Sequence, residues 1–418
     1  MEYDVIVVGA GPAGCATARL VAQAGYRVLV LEEHPAAGEP VRCAGLVSPR
    51  TLEVAGVGSD VVVSAVTGAR IHGPLGAVLS VDGGRVYALA VDRAAFDRRL
   101  AGAAAGAGAE MVYSARVTDL EYVRGGVRVR WRQGRAPGEA TARLLVGADG
   151  PRSLVARWCG LPPPPAVVRM WAAEVELPHA GEGTVELFLG RRVAPGWFGW
   201  LIPVGPSRAR VGTGTVNGKA PGACFRHLAA RYPGVFGAMR VLRTTGGVVP
   251  LGLRPKCYGE RVLVVGDAAG QVKPISGGGL YPGLLGARLC ARVACESLAR
   301  GDCSVARLSR YQRLLEEQMG REFRLALRHR EVYLRLTDRE VDEILRFLNR
   351  PYWRRVVAAW GDTDYPSVLA GRLLAAGPWA ARFWRACEQK TLPGRGGNSR
   401  RVENFLREDR CGRRERLG

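Results

Sequence analysis

Residues 1–33 hold the pattern that most limits what this chain can fold into. Residues 3–8 (YDVIVV) form an apolar, β-branched run of the kind buried on both faces of a sheet. They lead into Gly9-Ala10-Gly11-Pro12-Ala13-Gly14, a G-x-G-x-x-G turn. A segment of helical composition follows and stops at Gly25, and a second buried strand over residues 26–31 ends at Glu32. Each part has a mechanical reason. Gly9 permits the tight turn, Gly11 lets a pyrophosphate approach the backbone, and Gly14 lets helix and strand pack closely. Free amides and the positive end of the helix dipole face the phosphates. Glu32 is placed to accept hydrogen bonds from ribose hydroxyls. Strand, turn, helix, strand and acid in this order specify a dinucleotide site. They leave the choice between FAD and a nicotinamide open.

A second clue lies far along the chain. Residues 261–265 read as another buried strand that delivers Asp267 to its C-terminal tip, where ligands bind in parallel sheets. Taken alone, Asp267 reads equally well as a turn residue or helix cap. Paired with the N-terminal turn, a carboxylate there suits a ribityl hydroxyl, which a nicotinamide dinucleotide lacks. The Gly277–Gly279 run can then offer amides to a flavin carbonyl. FAD is the cofactor this pairing points to.

Between these landmarks, Ser48 and Pro49 read as the cap and first residue of a short helix. Residues 61–89 read as short strands in a meander. Asp92 caps a helix reaching about Ala105, strands return from 111 to 131, and residues 144–148 end in Asp149-Gly150. Four prolines at 162–165 make a stiff joint, beyond which residues 166–250 are mostly strands. From Val305 onward the pattern is amphipathic helix. Leu314, Leu315, Met319, Phe323 and Leu327 recur at helical spacing, which reads as core. The expected architecture is α/β. A discontinuous Rossmann-like FAD-binding domain (1–60, 90–160, 250–300) is interrupted by an antiparallel-sheet substrate domain (61–89, 161–249). A helical region with a basic tail (301–418) follows.

The formal net charge is +22 and is almost wholly arginine, with lysine only at 219, 256, 273 and 390. The charge reads equally as a coding bias toward arginine or as attraction to an anionic surface. No arginine-rich block with interleaved aromatics marks a nucleic-acid site, so a membrane is the anionic surface expected. No run of eighteen apolar residues and no signal peptide is read. The expected location is cytoplasmic, peripheral on the inner face of the membrane. Ten scattered cysteines show no metal spacing, so no metal is expected; whether any pair as disulfides stays open.

These features together resemble the FAD-dependent superfamily that includes aromatic hydroxylases and, within it, the geranylgeranyl reductase family, over about residues 1–300. Two narrower motifs carry the resemblance. Pro40-x-x-Cys43-x-Gly45 matches the family's P-x-x-C-x-G loop. Phe198-x-Trp200-x-Ile202-Pro203, then eight residues and Gly212-x-Gly214, is similar to its Y-x-W-x-F-P-x8-G-x-G pattern. Phe198 replaces the tyrosine and Ile202 the phenylalanine. The resemblance implies Gly9, Gly11, Ala13, Gly14 and Glu32 at the pyrophosphate and ribose. It implies Cys43, Ala44 and Leu46 beside the flavin, Arg93 on the cofactor's polar chain and the Val117 backbone at the adenine. Asp267, Gly279 and Leu280 would hold the ribityl chain and ring. It further implies a polyprenyl lipid substrate. Phe198, Trp200 and Ile202 alternate along one strand and read either as an apolar slot for it or as ordinary core; Cys43, or a water held near it, is the candidate proton donor. The electron donor is left between ferredoxin, NAD(P)H and a deazaflavin. Two other readings compete: a flavin monooxygenase or halogenase, and a non-catalytic electron carrier. The halogenase reading is weakened because no lysine precedes Lys219.

Overall fold

The computed structural model describes residues 1–178, 181–216 and 218–375. Its central sheet is built on the first strand, Tyr3–Val8, whose last four residues are buried. It lies parallel to Val28–Leu31 on one side and to the end of the long strand Ala136–Gly147 on the other. Val262–Val264 adds in parallel beyond Ala136–Gly147, and Glu110–Val112 beyond Val28–Leu31. The ends of Tyr3–Val8, Val28–Leu31 and Val262–Val264 therefore open toward one edge, although more than two hundred residues separate the first from the last. The early half of Ala136–Gly147 pairs antiparallel with Gly126–Gln133, which pairs with Ala115–Val123. Helices Pro12–Gln23, Arg93–Gly106 and Leu280–Ala299 pack on the sheet. The last is the longest, and its small buried residues (Gly283, Gly286, Ala287, Ala291, Ala294) allow close approach to the first.

A second sheet has seven strands in the order Arg240–Leu251, Ala166–Glu176, Arg208–Thr215, Gly199–Gly205, Thr184–Phe188, Gly68–His72, Val78–Asp82. All its pairings are antiparallel except Thr184–Phe188 with Gly68–His72, which run parallel. The meander expected over 61–89 is not one unit. Gly68–His72 and Val78–Asp82 form a hairpin on the edge of the large sheet. Val62–Val66 and Ala88–Val91 instead pair with each other and with Leu46–Val47 in a separate three-stranded sheet. Strand propensity reports none of these partners: Gly68–His72 joins Thr184–Phe188, more than a hundred residues on, while Ala88–Val91 bridges Leu46–Val47 and Val62–Val66.

The helical region follows its amphipathic pattern. Leu315, Met319 and Phe323 are buried in the main core and Leu314 packs against it, while Leu327 abuts Gly252. At Ser48 the expected cap takes another form. Its hydroxyl faces Thr51 Oγ1 at 3.1 Å and makes no bond to a helix amide, although Pro49 does start the helix Pro49–Ala55. Asp92, by contrast, caps Arg93–Gly106 through Ala95 N. Met1–Leu373 is one compact unit; the basic tail falls outside the described residues.

Candidate functional site

Gly9 sits at φ +102°, a conformation open to glycine and little else. A Cβ there would strike the Ala148 carbonyl, and one at Gly14 would strike the Gly9 carbonyl. At Gly11 a Cβ would meet nothing within 4 Å. The two outer glycines are therefore consumed by packing, while the middle one faces open space at the start of helix Pro12–Gln23. No side chain caps that helix, so its first amides are free for an anion. Glu32 Oε2 accepts from Ala10 N at 2.7 Å, and Oε1 accepts from His34 N at 3.0 Å. The acid is locked to the turn: Oε1 also meets His34 Nδ1 at 2.6 Å, and Oε2, with one donor, keeps a lone pair for a hydroxyl. Ala115 N donates to Glu32 O at 2.7 Å. This brings the next strand alongside, where Val117 borders a groove of about 540 Å³ with Ser114, Arg116 and Leu154.

At the far end, Asp267 follows Gly266, whose φ is +67°. A Cβ on Gly266 would lie 2.9 Å from Ala13 Cβ, so the two nucleotide turns touch. The Asp267 carboxylate finds no hydrogen-bond partner among the described residues. Burial pushes its pKa up to about 6, with the Arg93 charge opposing the rise. A Cβ on Gly279 would lie 3.1 Å from its Oδ1. Gly279 is also the uncapped N-terminus of helix Leu280–Ala299. A half-buried acceptor without a donor, next to free amides, suits a polyhydroxyl chain joined to a polar ring. The preceding turn is held from outside: Lys273 Nζ donates to Thr363 O at 2.7 Å and to Asp364 Oδ1 at 2.9 Å. Arg50 Nη1 reaches both oxygens of Asp362, at 3.0 and 2.9 Å. Asp149 of the D-G pair has a structural task. It accepts from Ser153 Oγ, Leu154 N and Val155 N and so starts the helix Leu154–Trp158.

Cys43 is exposed on its loop. Its Sγ accepts from Gly45 N at 3.4 Å. The loop is pinned from the large sheet by Arg210, whose Nη1 donates to Ala44 O and Val91 O, both at 2.9 Å. Gly45 has φ +69°, and a Cβ on it would run into the same Nη1. Leu46 then enters the three-stranded sheet opposite Ala90. Arg93 is bidentate to Asp97, at 3.1 and 3.0 Å. Burial works to lower the Arg93 pKa, but the charges of Asp97 and Cys43 outweigh it and hold the guanidinium above its ordinary value. The eight cysteines among the described residues are free thiols.

Phe198, Trp200 and Ile202 share one apolar cluster with Ala44, Leu46, Ala90 and Val272. Leu201 points into a different cluster on the opposite side, as the twofold alternation of a strand requires. The G-x-G that follows has a steric cause. Gly212 lies directly across from Trp200, and a Cβ on it would enter the indole; a Cβ on Gly214 would enter Trp197. Trp197, 1% exposed, stacks on Phe198 with centroids 4.8 Å apart, and the indole Nε1 atoms of both tryptophans are buried without a partner. Sequence reasoning did not single out Trp197, Arg210, Lys273 or Asp364. Only Trp197 carried a local signal, its place beside the F-x-W motif.

Space at Gly11, the unpartnered Asp267 and the uncapped helix start at Gly279 fit FAD. An FAD binding domain model matches residues 2–191. In fold, the chain superposes on a geranylgeranyl bacteriochlorophyll reductase-like protein from Thermoplasma acidophilum with a TM-score of 0.81 at 24% identity, covering 92% of this chain and 99% of that one. A flavin-dependent brominase superposes with a TM-score of 0.69 at 16% identity, covering 94% and 99%. Digeranylgeranylglycerophospholipid reductase 2 of Methanopyrus kandleri is 33% identical over 371 residues, 85% of this chain and 93% of the relative. Reductase 1 of Methanothermobacter thermautotrophicus is also 33% identical, over 82% and 89%. Identity on this scale and over this much of both chains, with the cysteine loop and the F-x-W strand meeting in one apolar cluster, makes the protein a member of the digeranylgeranylglycerophospholipid reductase family of FAD-dependent oxidoreductases.

Proposed function

We propose that this enzyme saturates geranylgeranyl double bonds of membrane glycerophospholipid precursors. One observation carries the reading. The loop of exposed Cys43 and the Phe198–Ile202 face are parts of a single apolar cluster, beside the end of the nucleotide site marked by Asp267 and Gly279. When bound and reduced, FAD would supply a hydride. Gly11 and the first amides of Pro12–Gln23 would hold its pyrophosphate, Glu32 a ribose hydroxyl and Asp267 a ribityl hydroxyl. An unactivated alkene has no carbonyl to polarise, so one carbon must receive a proton while the other receives the hydride. Cys43 Sγ gives that proton, and the thiolate left behind is balanced by Arg93, whose charge already feels Cys43. Being exposed, Cys43 regains its proton from solvent. Phe198, Trp200 and Ile202 seat the isoprenoid and keep water from the developing positive carbon.

The polyprenyl chain arrives from the membrane. Among the described residues no helix is long and apolar enough to cross one, and we place the enzyme on the cytoplasmic face. Ferredoxin, NAD(P)H or a deazaflavin returns the electrons, a choice made by testing each against the oxidised enzyme. The hydroxylase reading has support only from fold likeness.

The test is a single turnover of the reduced enzyme with a geranylgeranyl glycerophospholipid without dioxygen, in which the product gains two hydrogens per bond. Cys43→Ala is expected to slow it by about a hundredfold or more while flavin content is unchanged. If no polyprenyl lipid reoxidises the wild-type enzyme, the reductase function is refuted. A Cys43→Ala variant reacting at the wild-type rate refutes the proton assignment alone.

A further inference from the structure

The helix Pro351–Trp360 departs from the pattern of the others. Tyr352, Trp353, Val356, Val357 and Trp360 make half of its ten residues large and apolar, yet none of its residues is buried. Tyr352 is 65% exposed and Trp360 41%. A helix of this composition ordinarily covers such a stripe with its own core. Its charges are of one sign: Arg354 and Arg355 lie within it, Arg350 precedes it, and Arg372 sits 3.9 Å over the Trp360 ring. It contains no acid, and the nearest acids in the following loop, Asp362 and Asp364, are turned inward onto Arg50 and Lys273. The helix is also held fast. Arg85 Nη2 donates to the carbonyls of Ala358, Ala359 and Gly361 at 3.3, 3.2 and 3.0 Å, and Tyr87 Oη to Ala358 O at 2.5 Å. Between these two anchors Val86 projects, 44% exposed.

We propose that this helix, with Val86, Arg350 and Arg372, is the face by which the enzyme lies on an anionic lipid bilayer. Tyrosine and tryptophan rings settle at headgroup depth, and arginines beside them meet lipid phosphates, which is how a helix lies in the plane of an interface. Each cation near such a surface strengthens attachment, and salt screens it. The inference rests on the lipid-reducing function proposed above and adds where the lipid is met. The chain leaving the helix, Gly361–Asp364, is the segment that grips Lys273 ahead of Gly277–Gly279, so the docking face and the cofactor turn are directly tied.

The test is flotation of the FAD-loaded enzyme with phosphatidylcholine vesicles, with and without phosphatidylglycerol. Binding is expected only to the anionic vesicles at low salt. Arg354→Gln with Arg355→Gln is expected to lower partitioning roughly twenty-five-fold, about fivefold for each charge. Tyr352→Ser with Trp360→Ser is expected to leave a weaker attachment that molar salt abolishes. Arg124→Gln with Arg135→Gln, in exposed turns elsewhere, is the control for net charge. Flavin content and turnover of detergent-dispersed lipid report that each variant is folded. Wild-type binding by both helix variants overturns the proposal, as does an equal loss in the control. Self-association of the free enzyme through this helix, seen by sedimentation and lost in the tyrosine–tryptophan variant, also overturns it. A wild-type enzyme that docks by this helix but reduces no dispersed lipid refutes the reaction instead and leaves the docking face standing.

Discussion

Replacing Asp267 with asparagine should move two properties in opposite directions. The carboxyl goes from 3.8 to about 6 on folding, chiefly because burial disfavours the ionised form. At about 1.4 kcal/mol per pH unit, this costs the folded apoprotein roughly 3 kcal/mol at pH 7. Between pH 3.8 and about 6 the folded chain keeps a proton that the unfolded chain has released. Apoprotein stability therefore falls as pH rises through that window and is level above it. Asparagine carries no charge to desolvate, so the variant recovers the lost stability and shows no such slope. At roughly 2 cal/mol/K of unfolding entropy per residue, a gain of about 3 kcal/mol raises the midpoint of this 418-residue chain by about 3–4 °C. Cofactor affinity should fall instead. An ionised acceptor to a hydroxyl is worth about 1.5–3 kcal/mol and the neutral acceptor left by asparagine about 0.5–1.5, a loss of roughly five- to tenfold in Kd. Because the hydroxyl favours the ionised form, wild-type affinity should rise with pH up to about 6, and that of Asp267→Asn should not. Scanning calorimetry of the apoprotein across pH and fluorescence titration with FAD measure both effects. An asparagine variant that is less stable as apoprotein and binds FAD as well as wild type refutes the reasoning.

Gly212→Ala should destabilise by about 1–3 kcal/mol, because its Cβ enters the Trp200 indole and lies 2.6 Å from Trp171 O. Adding Trp200→Leu should recover part of that cost in denaturant melts, and strictly additive losses would mean the indole is no obstacle. Arg210→Met removes the donor to Ala44 O and Val91 O. It should speed hydrogen exchange at residues 43–46 and slow lipid reduction while FAD stays bound. Exchange at the wild-type rate would show that the loop is held by other contacts.

What could be read in advance was whatever depends on neighbours in sequence. The turn at Gly9–Gly14 and the Asp92 cap follow from spacing within a few residues; the backbone shows the positive φ of Gly9, the tight packing of Gly14 and open space at Gly11. The G-x-G of residues 212–214 was visible as a pattern, but its cause was not, since Trp200 comes from the facing strand and Trp197 from the bend before it. Asp267 could be placed at a strand tip; that it would stand there without a donor could not. Arg210 and Lys273 gave no signal at all. One arginine among so many in a basic chain is indistinguishable until the sheet carries it to Ala44, and Lys273 finds Asp364 ninety-one residues later. Ser48 was misread because its sequence context fits a cap, while the hydroxyl found Thr51 closer at hand.

The clasp of Lys273 on Thr363 and Asp364 bears on how the molecule is made. On the ribosome the phosphate-binding turn is synthesised first, and the central strand Tyr3–Val8 must wait for Ala136–Gly147 and Val262–Val264 before its half of the sheet is complete. Gly277–Gly279 emerges next with Lys273 still lacking its partners, which are not translated until Thr363 and Asp364. The proposed cofactor site is thus finished in the direction of translation, from the Gly9–Gly14 turn to the Gly277–Gly279 turn. Nascent chains that stop before residue 363 carry a complete phosphate turn attached to an unfastened ring turn.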